Sequence, residues 1–367
     1  MISAGPVGIG LVGAGVISDT YLENLTRFPD TRVIAVGDLR PEAAYAKAAE
    51  HGIPIAGDVT AVLGHPEVEI VVNLTIPAAH AEVSLAAIAA GRHVWSEKPL
   101  ALDRAGGQAV LDAAAAAGLR VGCAPDTFLG SGLQTARRLI ADGMIGEPLS
   151  ALAILQSPGP DAWHPNPGFL FQTGGGPLFD IGPYYLTALV QILGPVAAVS
   201  ATASTARERR TIGSGPRAGE TFEVTVPTHV GALLRCAGGP SAQAIFSFDS
   251  ALPRIVLEVT GRDGTLILPD PNNFDGEIQV RRGGALATET AARTIAASTR
   301  GTGVLEMARA IRAGRSHRAD GALAFHVLDV MTAIQEAAAA GSIVAVESSI
   351  AIPPPLPDDW DPMARTV

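Results

Sequence analysis

Between Val7 and Gly122, short β-branched runs alternate with helical segments, and this alternation restricts the possible folds of the 367-residue chain more than any other feature. Val7–Val12, Arg32–Gly37, Glu69–Leu74, His93–Trp95 and Arg120–Gly122 read as strands; Val16–Arg27, Pro41–His51, Ala78–Ala90 and Asp103–Ala117 read as helices. Strands that are apolar throughout need cover on both faces, which crossover helices on a parallel sheet provide. Asp103 stands directly before a run of good helix formers, where its carboxylate can cap the helix. The expected N-terminal domain, residues 1–125, is a doubly wound parallel α/β sheet.

The glycines at its start allow two registers. Gly8-x-Gly10-x-x-Gly13 matches the dinucleotide fingerprint literally, and Gly13-x-Gly15-x-x-Ser18 matches it with a small third residue. Val7, Ile9, Leu11 and Val12 still belong to the strand, so the tight turn falls at Gly13 and Gly15. Val16 and Ile17 then open a helix whose N-terminus can meet a pyrophosphate. Asp38 closes the second strand, followed by Leu39 and Arg40. Its carboxylate can accept ribose hydroxyls and repels the extra phosphate of NADP, so NAD is the expected cofactor; Arg40 keeps NADP possible. Thr75, Ile76 and Pro77 end a further strand at the edge where nucleotides lie, with His80 just inside the next helix.

After Ser131 the pattern changes. A helix at Leu133–Ala141 and a strand at Ser150–Leu155 lead to a loop rich in Pro and Trp. Val196–Ser204, Val230–Cys236, Ala242–Phe248, Ile255–Thr260 and Thr265–Leu268 then follow one another as strands, which implies an antiparallel sheet. Asp263-Gly264 reads as a two-residue hairpin turn. Residues 283–303 read as a mobile loop, Val304–Ala313 and Ala322–Ala340 as helices, Ile343–Val346 as a strand and Pro353–Pro357 as an extended tail. Residues 126–367 are thus expected to form an α+β domain with an open, mostly antiparallel sheet.

A formal charge of −10 with only short basic clusters, such as Arg207–Arg210, argues against nucleic acid. Cys123 and Cys236 read as buried thiols in a reducing cytosol, and the eight histidines show no ligand spacing, so no metal is expected. No apolar stretch is read as approaching the roughly 20 residues of a membrane span, and the N-terminal run reads as a core strand instead of a signal. The expectation is a cytoplasmic protein without a membrane partner.

Two segments carry chemistry. Glu97-Lys98-Pro99 follows the fourth of the predicted strands, and Gly174-Gly175-Gly176-Pro177-Leu178-Phe179-Asp180-Ile181-Gly182-Pro183-Tyr184-Tyr185 opens a helix. Asp180 and Tyr184 lie four residues apart, which places them on one helical face. As the bland alternative, Asp180 serves as a first-turn charge on the helix dipole. Pro183 lacks an N–H, so the helix should kink or restart there, turning Tyr184 toward a cleft and leaving Tyr185 in the core. Trp163, His164 and Asn166, in a proline-stiffened loop just before, suit stacking on and hydrogen bonding to a sugar ring.

Gly13-Ala14-Gly15, Asp38, the Thr-Ile-Pro-Ala-Ala-His run at 75–80, Gly-Arg-His-Val before Glu97-Lys98-Pro99, the Gly-Gly-Gly-x-x-x-Asp-x-Gly-x-Tyr run and the segment Gly303–Ala310 together resemble the glucose–fructose oxidoreductase/inositol dehydrogenase family, written Gfo/Idh/MocA. The resemblance covers most of the chain. It implies a Rossmann domain, then a domain whose sheet serves in self-association, as a homo-dimer or homo-tetramer, and a nicotinamide-dependent oxidoreductase acting on a sugar, polyol or related compound. It places Glu97 near the nicotinamide ribose, Lys98 at the reacting carbon, and Asp180 with Tyr184 in the catalytic set. The chain departs from the family at Tyr184, usually His, and at Ala124–Phe128, where many members carry Arg-Phe; Asp126 is expected near the substrate.

A tyrosine acting as base at neutral pH must have its pKa brought down by about 3, or roughly 4 kcal/mol, which a nearby ammonium in a partly dry pocket can supply. Lys98, Asp180 and Tyr184 are the expected proton relay. Two alternatives use the same residues differently: a redox-neutral glycosidase that oxidises, eliminates and reduces on a retained NAD, and a non-catalytic cofactor sensor.

Overall fold

The computed structural model describes residues 5–284, 287–291 and 298–367. Its elements run β1 (Val7–Val12), α1 (Val16–Leu25), β2 (Thr31–Gly37), α2 (Pro41–His51), β3 (Ile55–Gly57), α3 (Val59–Leu63), β4 (Ile70–Asn73), α4 (His80–Ala89), β5 (His93–Ser96), α5 (Arg104–Ala116) and β6 (Val121–Cys123). They continue with α6 (Ser131–Ala141), β7 (Pro148–Gln156), α7 (Gly176–Asp180), α8 (Gly182–Leu193), β8 (Val196–Ser204), β9 (Arg209–Thr211), β10 (Thr221–Glu223), β11 (His229–Cys236) and β12 (Ser241–Ser247). The last are β13 (Arg254–Gly261), β14 (Gly264–Ile267), β15 (Ile278–Arg282), β16 (Glu289–Ala291), α9 (Thr302–Arg312), α10 (Gly321–Ala340) and β17 (Val344–Ala345).

The chain divides into two compact units: Met1–Leu129 with Ala296–Phe325 and Leu356–Val367, and Gly130–Ile295 with His326–Pro355. The break at 129/130 falls close to the expected boundary at 125/126. The later segments do not follow the expected division, since two of them return to the first unit. Arg309 on α9 shows why: its Nε donates to Asp30 at 2.7 Å, and its NH1 donates to the Asp361 carbonyl at 3.0 Å.

In the first unit six parallel strands lie in the order β3-β2-β1-β4-β5-β6. Val12, Ile34, Val71, Val94, Val110 and Val121 meet in one buried cluster, so sheet and helices share a dry interface. The Asp103 side chain caps α5 through the Gly106 N–H at 2.8 Å, as its position implies. β3 and α3 have no counterpart in the sequence pattern, because three and five residues are too few to show a period. Asp58 nonetheless caps α3 through the N–H groups of Thr60 and Ala61.

The second unit holds a nine-stranded sheet, β16-β15-β14-β13-β7-β12-β11-β8-β17, mostly antiparallel, with β7 and β12 parallel. A separate β9–β10 pair, absent from the reading, accompanies it. The two-residue turn at Asp263-Gly264 is not formed. Thr260 pairs with Thr265, so the connection spans Gly261 to Gly264. The cause is tertiary: the Arg262 and Asp263 N–H groups donate to Glu147 and Ile145 carbonyls, extending the pairing with β7's start. Within 283–303, Glu289–Ala291 forms strand β16 and pairs with β15, where a loop is expected; residues 285–286 and 292–297 lie outside the described residues.

By length and composition α10 could cross a membrane, contrary to the reading of the sequence. It is built instead as a core helix. His326 and Asp329 on it are buried. His326 Nε2 accepts the Val196 N–H at 3.1 Å, and Asp329 accepts the Ser348 N–H at 2.7 Å.

Candidate functional site

The strand order sets β2, β1, β4 and β5 side by side, so the turns that follow them form one edge. Gly13 makes the first turn at φ 105°, in the left-handed region that favours glycine. A Cβ there would lie 2.6 Å from the Leu74 carbonyl oxygen. Gly8 and Gly10, by contrast, are packing glycines: a Cβ on them would stand 1.8 Å from Glu67 O and 2.5 Å from Val62 Cγ1. The register reading at Gly13 and Gly15 therefore matches the turn. Gly15 caps α1, and a Cβ on it would meet no protein atom within 4 Å, leaving room for a ligand at the helix N-terminus.

Asp38 is tied into the same edge, its two oxygens accepting the N–H groups of Ala14 and Arg40, each at 2.8 Å. It thus holds the glycine turn in place, with lone pairs left over for ribose hydroxyls. Val16, Leu39 and Ile76 follow β1, β2 and β4 with 90%, 91% and 60% exposure. Open space over a helix N-terminus, a carboxylate and exposed apolar side chains together fit a dinucleotide.

The next layer is internal. Asn73 is fully buried; its Oδ1 accepts the Thr75 hydroxyl at 2.6 Å, and its Nδ2 donates to the His80 carbonyl at 3.0 Å. His80 is also buried, with Nδ1 2.6 Å from Pro99 O and Nε2 3.0 Å from Thr75 O. Burial pushes its pKa below the ordinary histidine value, against the pull of those two carbonyls. The structure makes His80 a brace beneath the edge, the supporting place a lone histidine inside that helix suggests, and not a direct cofactor contact.

Glu97 is also nearly buried. Its Oε1 accepts the Tyr21 hydroxyl at 2.8 Å and its Oε2 the Lys98 N–H at 3.1 Å. Lys98 is half-buried. Asp126 corrects its expected role too. It is fully buried, and one of its oxygens accepts the N–H groups of Gly301 and Gly303 at 2.9 and 3.0 Å, while Arg300 stands 3.7 Å from the other. A carboxylate at the start of α9 complements that helix's positive end, so Asp126 is a cap inside the first unit and not a substrate contact. Near α2, Asp19, Glu50 and His51 could together offer metal-ligand atoms, where the sequence suggested none; the Lys47 ammonium already pairs with Asp19 and Glu50.

In the second unit the helix breaks as Pro183 demands. Asp180 ends α7, Ile181 sits at φ −105°, and α8 restarts at Gly182. Asp180 and Tyr184 therefore belong to successive helices and not to one continuous turn. Tyr184 is 7% exposed and Tyr185 fully buried, as expected of the latter.

Trp163 is 68% exposed at the end of an aromatic series: its ring meets His164 edge-on at 5.6 Å, and His164 meets Phe169 at 5.6 Å. Asn166 takes a hydrogen bond from Arg217 at 2.9 Å. The loop's foundation is Arg210, which the sequence shows only as one member of a basic cluster. It is buried, pairs with Asp161 at 2.7 Å and with Asp249, donates to Phe248 O at 2.7 Å and stacks over Phe171 at 4.8 Å. No local signal marks it, because its partners are distant in sequence.

Of the predicted residues, Gly13 to Ile17, Asp38 to Arg40, Thr75 to Pro77, Glu97 and Lys98 lie in the first unit; Trp163, His164, Asn166, Asp180 and Tyr184 lie in the second.

The first unit's sheet order and glycine turn define a dinucleotide-binding domain of the Rossmann type. Residues 7–124 match the NAD-binding Rossmann model of an oxidoreductase family, and residues 133–267 match the GFO/IDH/MocA C-terminal domain, so the chain belongs to the GFO/IDH/MocA oxidoreductases. It is 28% identical over 264 residues to 1,5-anhydro-D-fructose reductase of Ensifer adhaerens, covering 70% of this chain and 74% of that one. It is 33% identical over 147 residues to inositol 2-dehydrogenase of Ralstonia nicotianae, 38% of this chain and only 43% of that enzyme. An NAD-binding oxidoreductase from Klebsiella pneumoniae superposes with TM-score 0.79 at 25% identity, over 94% of this chain and 100% of that one. Levoglucosan dehydrogenase shares the fold, with TM-score 0.81 at 22% identity, over 94% of this chain and 100% of that one.

Proposed function

We propose that the chain is an NAD-dependent dehydrogenase or reductase acting on a hydroxyl or keto group of a sugar, polyol or glycoside. The observation that carries this reading is the Gly13 turn, tied to Asp38 at the mouth of a helix N-terminus, in a family of NAD-binding oxidoreductases. Gly13, Gly15, Val16, Asp38, Leu39, Thr75 and Ile76 would hold the cofactor, which supplies the hydride acceptor or donor when bound. The relatives named as a 1,5-anhydro-D-fructose reductase and an inositol 2-dehydrogenase favour the carbohydrate and polyol class.

Lys98, Asp180 and Tyr184 are assigned to the proton. Lys98 follows a braced glutamate, and Tyr184 is a nearly buried phenol directly after a proline-forced helix restart. Tyr184→Phe is expected to lower turnover by about 10²-fold. Turnover within a factor of three of the native rate would move the proton to Lys98. The reading as a whole is tested by incubating the protein with NAD or NADP and a panel of sugars, inositols and glycosides. Stoichiometric NADH formation on a free sugar or polyol supports it, and glycoside cleavage without net NADH defeats it in favour of a redox-neutral enzyme.

The nine-stranded sheet supports self-association. Leu233 on β11 and Ile343 just before β17 are 57% and 74% exposed and line one shallow groove on its open face. Leu233→Lys is expected to shift the sedimenting species toward monomer; an unchanged mass would count against this surface. Buried, unpaired Cys123 and Cys236 suit a reducing cytoplasm.

A further inference from the structure

The reading of the sequence gives Glu97 to the cofactor, yet the structure engages both of its oxygens from inside. Tyr21, on α1, is fully buried. Its hydroxyl lies 2.8 Å from Glu97 Oε1, and the Trp95 indole N–H points to the same phenol oxygen at 3.3 Å. Because an indole nitrogen only donates, the phenol accepts there and must spend its own proton on the carboxylate. Burial and the neighbouring Glu97 charge both push the Tyr21 pKa up, so that proton stays in place across the working pH range. The second carboxylate oxygen accepts the Lys98 N–H at 3.1 Å. A charge-assisted bond of this kind, closed off from water, is stronger than an exposed one.

The connection has a direction. Helix α1 is capped by Gly15, the residue that faces the open space over the glycine turn, and Tyr21 lies within the same helix. One helix therefore bears on the dinucleotide turn at its start and, through Tyr21, Glu97 and a single N–H, on the backbone of Lys98. Backbone pairings fix the end of β5: Glu97 N–H to Asn73 O at 2.9 Å, and Ala124 N–H to Ser96 O at 2.9 Å. The Glu97 carbonyl takes the Ser96 hydroxyl at 3.0 Å and the Cys123 thiol at 3.6 Å, while the Lys98 N–H of the same peptide goes to the Glu97 carboxylate.

We propose that Tyr21 is a positioning residue: by holding the Glu97 carboxylate it sets the Lys98 peptide, and so couples the cofactor-binding helix to the lysine. The consequence for catalysis rests on the role assigned above to Lys98, whereas the brace itself does not.

The test uses the full chain and the variants Tyr21→Phe, Glu97→Gln and their double. Tyr21→Phe keeps the ring and removes only the donor. Glu97→Gln leaves one acceptor oxygen for two donors, the phenol and the Lys98 N–H. Amide hydrogen exchange resolved at Lys98, NADH affinity by fluorescence and the kcat–KM split are measured together. Expected for Tyr21→Phe are exchange at Lys98 about tenfold faster, NADH affinity within about twofold, and kcat reduced about tenfold at little-changed KM for NAD. The double variant should exchange no faster than Glu97→Gln alone, because both changes break one connection.

Native exchange at Lys98 in Tyr21→Phe, or additive effects in the double variant, overturns the proposal. If Tyr21→Phe does not fold, Glu97→Gln decides alone, and native exchange at its Lys98 is the overturning result. Faster exchange with undiminished turnover supports the brace and removes Lys98 from the reaction, so the two readings fail separately.

Discussion

Lys98→Met is expected to reduce turnover by about 10³-fold, while NADH affinity stays within about threefold. Methionine keeps much of the lysine stem and loses the ammonium, so packing at a half-buried position changes little while the charge and the transferable protons vanish. General acid–base catalysis accounts for about 10² to 10⁴ in rate, and the proton role proposed for the ammonium falls in that range. The backbone of residue 98 is set by Glu97 through its N–H, which methionine retains. The dinucleotide turn belongs to other strands, so cofactor affinity serves as the internal control. Single-turnover rates on whichever sugar or polyol the panel identifies, with NADH titration alongside, decide it. Turnover above about a tenth of native would eliminate the lysine as proton carrier.

The second large effect is expected at the turn itself. Gly13→Ala puts a side chain on a residue at φ 105° and drives its Cβ to 2.6 Å from the Leu74 carbonyl oxygen. Such backbone strain costs about 1–3 kcal/mol, and a clash with main chain cannot be relieved by rotating a side chain. The turn must shift, taking with it the Gly13 N–H that bonds Gly37 O at 2.8 Å and the Ala14 N–H that bonds Asp38. NADH affinity should fall by about 100-fold or more, and Tm by several degrees. Gly15→Ala supplies the contrast. Its Cβ meets no protein atom, so stability should hold while the methyl intrudes on the ligand's space and weakens binding. Native NADH affinity in Gly13→Ala would mean that the dinucleotide does not use this turn.

Much of this arrangement was legible beforehand, and particular residues show why. Repeating apolar strands and helices announce a covered parallel sheet, because no other arrangement dries both faces. Pro183 forecasts its own helix break through the N–H it lacks, and Asp103 its own cap. The site was less legible. Asp126 reads as a polar residue beside a candidate pocket, yet it caps α9 from about 175 positions away in the chain. His80 and Glu97 look available for a ligand until their ring nitrogens and carboxylate oxygens are found already engaged. Arg210 and Tyr21 carry no motif at all.

The division follows the range of the forces. Periodicity, glycine stereochemistry, proline's missing donor and a capping carboxylate act over one turn or one strand, so the order of residues was enough to establish the Rossmann half, its glycine turn and the restart before Tyr184. Which buried polar groups find which partners depends on desolvation and on donors tens or hundreds of residues away. Only the folded chain could therefore make Asp126 a cap, Arg210 a foundation and Tyr21 the support of Glu97.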